Sequence, residues 1–197
     1  MVRLAGYGLL GGFVSTLATS WYVYDLRLVY RMIAADRSEE AGDWAVVHVG
    51  LDDISADVAA VVGRAPVAVF DISHGMPPMT AKKRVKAPLA ATPARPEALP
   101  IDDAALDTVF VGFAAHEVRS SDQSASLFHE LNRVIRPSGR VIIIEHVIDA
   151  ANVVAFGPGA LHFRSPAFWR NKAESVGLRV IDESRLTPFV RRFEFAR

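Results

Sequence analysis

The sequence predicts an α/β domain built on a mostly parallel, doubly wound sheet that ends in an antiparallel strand. Short runs of β-branched and apolar residues alternate with amphipathic helical patterns, which indicates parallel strands joined by helices. The last two strand patterns are separated only by a short turn, so the final strand is expected to run antiparallel to its neighbour. With 197 residues, 51% of them hydrophobic, the chain is long enough to bury one substantial core.

The first half of the chain contains three predicted strands. Residues 46–50, 67–71 and 108–113 are runs rich in β-branched and apolar residues, typical of strands buried on both faces. Between the first two of these runs, apolar residues at helical spacing predict a helix over 54–62, and Gly63 is expected to end it.

The second half contains the longest helix and the most hydrophobic strand. Residues 122–136 carry an apolar stripe at helical spacing, and a Pro-Ser-Gly turn at 137–139 separates them from the aliphatic strand 141–144. Ser165 and Pro166 mark the start of another helix, because serine caps free amides and proline suits the first helical position, and Gly177 marks its end. Residues 178–181 and 190–195 are the two final strands.

Charge and cysteine content exclude several classes of function. The 22 basic and 22 acidic residues cancel, so the chain lacks the net positive charge of a dedicated nucleic-acid-binding protein. There is no cysteine, which excludes disulfides, thiolate metal sites and a cysteine nucleophile. The six histidines show no close metal-ligand spacing, so no metal site is predicted.

Residues 1–43 are expected to form a helical segment that precedes a domain at 44–197. Residues 4–24 form a stretch without charged side chains that is long enough to span a bilayer. Glycine, serine and threonine residues lower the hydrophobicity of this stretch. A cap or interface helix is therefore favoured, through which the chain would form a homo- or hetero-oligomer. A membrane-associated segment and a signal peptide are the alternatives. The protein is accordingly expected in the cytoplasm, with membrane association as the alternative.

Two motifs resemble those of class I S-adenosylmethionine-dependent methyltransferases, most closely the ubiquinone/menaquinone-biosynthesis type. Residues 99–109 (LPIDDAALDTV) are similar to the family's LPF-x-D-x-x-FD-x-V segment, and residues 130–140 (ELNRVIRPSGR) are similar to its E-x-x-RVL(R/K)PGG helix and turn. The resemblance extends over residues 44–197. It implies a Rossmann-like fold, S-adenosylmethionine as the cofactor and methyl transfer as the activity.

The cofactor loop departs from the family pattern. In the family, a strand ends in a D-x-G-x-G-x-G loop whose glycines let the backbone approach the methionine part of the cofactor. Here only the first of these glycines, Gly50, is present, since Asp52 and Ile54 stand at the next two positions. A β-branched side chain resists the conformations that glycine permits and would fill the space that the cofactor needs. Carboxylates at this helix start would cap its amides and repel the cofactor's own carboxylate.

The resemblance places the other cofactor contacts at the ends of the following strands. Asp71 ends the second strand, where the family uses an acid to bind the ribose hydroxyls, and Ile72 follows it. An aspartate that only stabilises a turn is the alternative for Asp71. Phe113 and Ala114 end the third strand at the same edge of the sheet, where ligands of such folds bind.

Candidate catalytic residues follow the third strand and the strand that begins at residue 141. His116 and Glu117 come after the third strand and His146 ends the strand that begins at 141, so these side chains are expected to meet at the mouth of the cleft. A histidine with a pKa near neutral can accept a proton as a methyl group is transferred; ordinary polar strand ends are the alternative. The sequence thus predicts a methyltransferase-like protein acting on an apolar or aromatic small molecule. The alternative is a non-catalytic partner or binding subunit that has lost normal cofactor binding.

Overall fold

The computed structural model describes residues 41–197, apart from 51, 53 and 75–89, together with 11, 12, 14, 15, 17, 18 and 21. The strands in this part of the chain are β1 (Trp44–His48), β2 (Ala68–Asp71), β3 (Thr92–Pro93), β4 (Leu106–Gly112), β5 (Ile135–His146), β6 (Arg179–Thr187) and β7 (Val190–Ala196). The α-helices are α1 (Ser55–Val62), α2 (Ser121–Val134), α3 (Ala150–Phe156) and α4 (Pro166–Ser175). Short 3-10 helices cover Ala115–Glu117 and Gly157–His162.

These strands form one sheet in the order β3-β2-β1-β4-β5-β7-β6. The first five strands in this order are parallel, and β7 is antiparallel to both β5 and β6. The predicted Rossmann-like sheet with an antiparallel final strand is therefore confirmed. Because β1 pairs with β2 on one side and β4 on the other, the crossovers diverge there and open a crevice beyond its carboxyl end.

The central strands of the sheet are buried on both faces, as the continuous apolar runs predict. All five residues of β1 are buried, and six of the seven residues of β4 are buried. On one face, α2 and α4 cover a core with Phe128 and Trp169 at its centre; on the other, α1 packs Ile54 and Val58 over the strands. Each large side chain fully removed from water in these cores contributes about 1.5–3 kcal/mol to the free energy of unfolding.

The predicted helix ends are confirmed at three positions. Gly63 ends α1 in the left-handed conformation, with φ of 75°, and its amide donates to the carbonyl of Ala59. The Ser165 side chain accepts the amide of Phe168, and Pro166 follows as the first residue of α4. Serine hydroxyls at such positions typically contribute about 1 kcal/mol to stability.

Several regions differ from the sequence prediction: β3 was not predicted, and β6 extends to Thr187 rather than ending at residue 181. The Pro-Ser-Gly segment does not separate α2 from a later strand, since β5 already begins at Ile135 and carries an irregularity before its pairing resumes at Arg140. The segment after β5 contains α3, for which the sequence carries no clear helical pattern. Its start is fixed by Asp149, whose carboxylate accepts the amide of Asn152 at 3.0 Å.

The motif residues Glu130 and Arg133 hold the segment before β4 against α2. The Glu130 carboxylate accepts the amide of Leu99 at 2.8 Å and pairs with the Arg133 guanidinium at 2.7 Å. Arg133 also donates to the carbonyls of Leu99 and Ile101, at 3.0 and 2.9 Å. The resemblance at residues 99–109 and 130–140 thus reflects one packing arrangement, in which two segments of the motif bind each other.

Most of the uncharged N-terminal stretch lies outside the described residues. Its described positions between 11 and 18 are helical, and Val14, Leu17 and Trp21 are all more than half exposed. Among the described residues, no helix has the length and hydropathy needed to cross a membrane. The division of the chain at residues 43 and 44 stays a prediction.

Candidate cofactor and substrate site

The carboxyl ends of β1 and β2 are joined by a carboxylate. Asp71 Oδ1 accepts the amide of Gly50 at 2.9 Å and the amide of Ser73 at 3.0 Å. Gly50 has φ of 68°, a left-handed conformation that glycine adopts without strain. Burial opposes ionisation of Asp71, but the hydrogen bonds from the two amides outweigh it and lower the pKa of this carboxyl below its ordinary value. The chain therefore keeps an ionised acid beside the first-motif glycine.

The side chains of Asp52 and Ile54, which follow Gly50 in the loop after β1, are both buried. Asp52 Oδ1 accepts the amides of Ile54 and Ser55 at 3.3 and 2.9 Å, and its second oxygen accepts the Ser55 hydroxyl. Asp52 therefore caps α1, as expected from the sequence. The Ile54 side chain is only 1% exposed and packs towards Gly112 at the end of β4. Its bulk is thus accommodated in the core on the α1 side of the sheet.

Three predicted cofactor-site residues have buried side chains. Ile72 and Ala114 belong to the core on the α2 side of the sheet, and Ile72 donates its amide to the carbonyl of His48 at 2.9 Å. Phe113 is different, because its φ of 49° is uncommon for a residue with a side chain. This conformation directs the chain from β4 into the 3-10 helix, and strained backbone of this kind is frequent at functional sites.

The predicted pair His116 and Glu117 meets a third group, Glu145 of β5. His116 Nδ1 lies 2.6 Å from Glu145 Oε2, and its Nε2 lies 3.5 Å from Glu117 Oε1. Burial of the ring disfavours the charged form, but the two carboxylates outweigh burial and raise the pKa of His116 to about 9. At neutral pH His116 is therefore a protonated imidazole held between two carboxylates.

His146 lies in an aromatic cluster near these carboxylates. Its ring centroid is 5.3 Å from that of Phe113, 5.1 Å from Phe156 and 5.0 Å from Phe163. Its Nδ1 donates to the carbonyl of Phe189 at 2.9 Å. Burial lowers the pKa of His146 below its ordinary value, so the ring is neutral at neutral pH. The structure thus places His146 among apolar rings, and His116 among charges.

His162 completes the group of three histidines at this edge of the sheet. It is exposed, and its ring centroid lies 5.6 Å from that of His116 and 4.4 Å from that of Phe163. Its Nδ1 donates to the carbonyl of Gly159, so a neutral His162 carries its acceptor lone pair on Nε2. Burial and the positive charge of His116 lower the pKa of His162. The sequence places His162 in a glycine-proline loop with aromatic flanks, but spacing alone gives no sign of its pairing with His116.

The nucleoside end of S-adenosylmethionine fits the residues present. The Asp71 carboxylate and the Gly50 backbone lie together at the crevice beside β1, where an acid can accept hydrogen bonds from ribose hydroxyls. At the start of α1, the amides of Ile54 and Ser55 are already bound by Asp52. No group of histidines and acids suited to hold a metal ion occurs among the described residues.

The sheet has five parallel strands followed by the antiparallel β7 and the edge strand β6. This arrangement is that of the Rossmann-like methyltransferase fold. Residues 47–143 match the family model described as "Methyltransferase domain". The resemblance seen in the sequence is therefore confirmed: over residues 47–143 the chain is similar to the methyltransferase-domain family, consistent with the class I S-adenosylmethionine-dependent methyltransferases. No sequence among curated proteins matches this chain.

Solved structures support the fold. The mitomycin 7-O-methyltransferase is 18% identical, with a TM-score of 0.65 over 87% of this chain and 54% of that one. A methyltransferase from Aquifex aeolicus is 17% identical, with a TM-score of 0.57 over 84% and 91% of the two chains. Human N-acetylserotonin methyltransferase, solved with S-adenosylmethionine, is 15% identical, with a TM-score of 0.63 over 94% and 55%. The chain thus spans only about half the length of the first and third of these proteins.

Proposed function

We propose that this chain transfers a methyl group from S-adenosylmethionine to an apolar or aromatic small molecule. The observation that carries this proposal is the aromatic cluster around His146, which lies at the same edge of the sheet as Gly50 and Asp71. Flat apolar substrates are recognised by such rings, which offer large contact areas and little conformational freedom.

S-adenosylmethionine, when bound, supplies a methyl group made electrophilic by a sulfonium. Gly50 and Asp71 would hold its nucleoside end, with Ile72, Phe113 and Ala114 forming the surrounding strand ends. The residues' task is then to orient the acceptor atom and to remove its proton, because much of methyl transfer is positioning.

Within the proposed site, His162 is the group best suited to accept that proton. It is neutral at neutral pH, it is exposed, and its Nε2 is an acceptor. His116 is protonated and bound on both ring nitrogens, so it is a poor base. We assign His116, with Glu117 and Glu145, to positioning: its positive charge keeps His162 neutral. His146 is 2% exposed, and we assign it to supporting the aromatic rings that surround it.

A binding measurement followed by a transfer assay tests the proposed function. Isothermal titration calorimetry with S-adenosylmethionine should give saturable binding that Asp71→Ala weakens. Methyl-labelled S-adenosylmethionine should then label acceptors in a panel of phenols and aromatic amines, and His162→Gln should reduce the rate by about 100-fold or more. Absence of binding at millimolar cofactor would contradict the proposal.

The second candidate function is that of a non-catalytic partner or binding subunit. The observation that favours it is the Asp52 carboxylate, which occupies the amides at the start of α1. The exposed apolar residues Val14, Leu17 and Trp21 suit contact with another subunit. Multi-angle light scattering of the full chain distinguishes an oligomer from a monomer. Substituting these three residues with polar ones should dissociate an oligomer formed through them.

A further inference from the structure

The start of α1 already holds an anion that belongs to the chain. The Asp52 carboxylate is 6% exposed and accepts three hydrogen bonds, from the amides of Ile54 and Ser55 and from the Ser55 hydroxyl. Free amides at a helix start attract ligand anions because they are donors at the positive end of the helix dipole. Here two amides at the helix start, those of Ile54 and Ser55, are bound to the negatively charged Asp52 side chain.

A ligand carboxylate that approaches this helix start meets two obstacles. Asp52 already occupies the amides of Ile54 and Ser55, and the ligand carboxylate has the same charge as Asp52 in surroundings where water screens weakly. The amino-acid part of S-adenosylmethionine and of its demethylated product carries such a carboxylate. A ligand with a neutral 5′ group meets neither obstacle.

The nucleoside end of the site is not affected by Asp52. The contact between Gly50 and Asp71 joins β1 to β2, and Asp71 takes no part in capping α1. A ligand can therefore keep its ribose contact while losing its amino-acid contact.

We propose that this cleft binds 5′-thioadenosines without a carboxylate more tightly than it binds the amino-acid-bearing product of methyl transfer. The proposal rests on the proposed function, since it uses the same nucleoside site. It makes 5′-methylthioadenosine and related nucleosides competitors of the methyl donor. Asp52 is the residue that sets the preference.

Calorimetry with the full chain tests this preference, using 5′-methylthioadenosine and S-adenosylhomocysteine as the probes. We expect 5′-methylthioadenosine to bind about tenfold or more tightly than S-adenosylhomocysteine in the unmodified protein. Asp52→Asn removes the charge and keeps a capping oxygen, and Asp52→Gly restores the family's residue. Both should improve S-adenosylhomocysteine binding by about tenfold and change 5′-methylthioadenosine binding by less than about threefold.

Asp57→Asn is the matched control, because Asp57 also carries a charge in the first turn of α1. It should leave the ratio of the two affinities within about twofold of the original. Circular dichroism and thermal unfolding establish that each variant is folded.

Equal or tighter binding of S-adenosylhomocysteine by the unmodified protein overturns this inference and leaves the proposed function standing. The inference is also overturned if Asp52→Asn leaves the ratio of the two nucleoside affinities unchanged. If neither nucleoside binds, the inference and the proposed function fail together.

Discussion

Ile54 covers Gly112 so closely that the two positions cannot both carry a side chain without rearrangement. A Cβ atom at position 112 would lie 2.6 Å from Ile54 Cδ1 and 2.9 Å from its Cγ2. The large residue in the first motif is thus matched by the absence of a side chain at the end of β4. This pairing explains how the sheet and α1 remain closely packed although a large side chain stands at position 54.

The pairing predicts strong coupling between the two positions. Gly112→Ala should lower the free energy of unfolding by about 1–3 kcal/mol, because the buried isoleucine has little room to move. Combining it with Ile54→Val should recover part of this loss, giving a coupling energy of about 0.5 kcal/mol or more. Urea unfolding of the single and double variants measures both quantities. Gly159→Ala is the control and should be nearly neutral, since the one contact it would make is at 3.9 Å.

The charged state of His116 predicts how stability depends on pH. Its pKa rises from an ordinary value of 6.5 to about 9 on folding. The stabilisation that results is fully present below pH 6.5 and is lost as the pH rises through 9. Its size follows from linkage and is about 3 kcal/mol.

Thermal unfolding between pH 6 and 10 checks this dependence. The melting temperature should fall as the pH rises above neutral, and His116→Gln should flatten the curve. Glu145→Gln should flatten it in part, because the Glu117 carboxylate still faces the ring. An unchanged slope in His116→Gln would contradict the assignment of His116 as a buried cation.

Asp71 is predicted to act on both stability and ligand binding. Asp71→Ala removes the acceptor of the Gly50 and Ser73 amides and should cost about 1–3 kcal/mol. Asp71→Asn keeps an acceptor oxygen, so it should cost less in stability while still weakening nucleoside binding. Because the pKa of Asp71 is lowered, its contribution to stability is present above pH 4 and declines in more acidic solution. Denaturant titrations and calorimetry separate the two effects; loss of stability without loss of nucleoside affinity would restrict Asp71 to a structural role.

Arg133 is predicted to be the main stabilising contact of the segment before β4. Arg133→Ala leaves the carbonyls of Leu99 and Ile101 without this donor and should lower stability by about 2 kcal/mol. The Glu130 carboxyl, whose pKa the Arg133 hydrogen bonds lower, should then titrate closer to its ordinary value. Asp103→Asn is the control: Asp103 is 78% exposed, so its ion pair with Arg133 should contribute less than about 1 kcal/mol. Chemical denaturation compares the variants, and equal effects would show that the segment does not depend on the buried contacts.

The spacing of hydrophobic residues and the capping residues at helix ends were sufficient to predict most of the fold. Strands 108–113 and 141–144 coincide with parts of β4 and β5, and Ser165 caps α4 as predicted. The missed helix α3 is only seven residues long, and its apolar content carries little periodic signal. The extension of β5 through Pro137 and Gly139 was missed because turn residues also occur at irregularities within strands.

The site was predictable only in outline. Strand ends indicate which residues share an edge, and that was enough to bring His116, Glu117 and His146 to the same region. Sequence spacing does not give side-chain direction, so it did not separate the ionic setting of His116 from the aromatic setting of His146. Nor did it show that Ile54 packs towards Gly112, because this contact depends on where α1 lies over the sheet.

The position of β7 between β5 and β6 also constrains how the domain folds. β6 lies at the edge of the sheet and pairs with β7, to which it is joined by a turn in which Thr187 accepts the amides of Phe189 and Val190. The two strands can therefore form a local hairpin, an event of about 1–10 μs, before either meets the rest of the sheet. Docking of that hairpin on β5 delivers the aromatic rings of β7 to the core in one step. The core on the α2 side therefore takes Phe193 and Phe195 from a strand whose pairing with β6 is local in sequence.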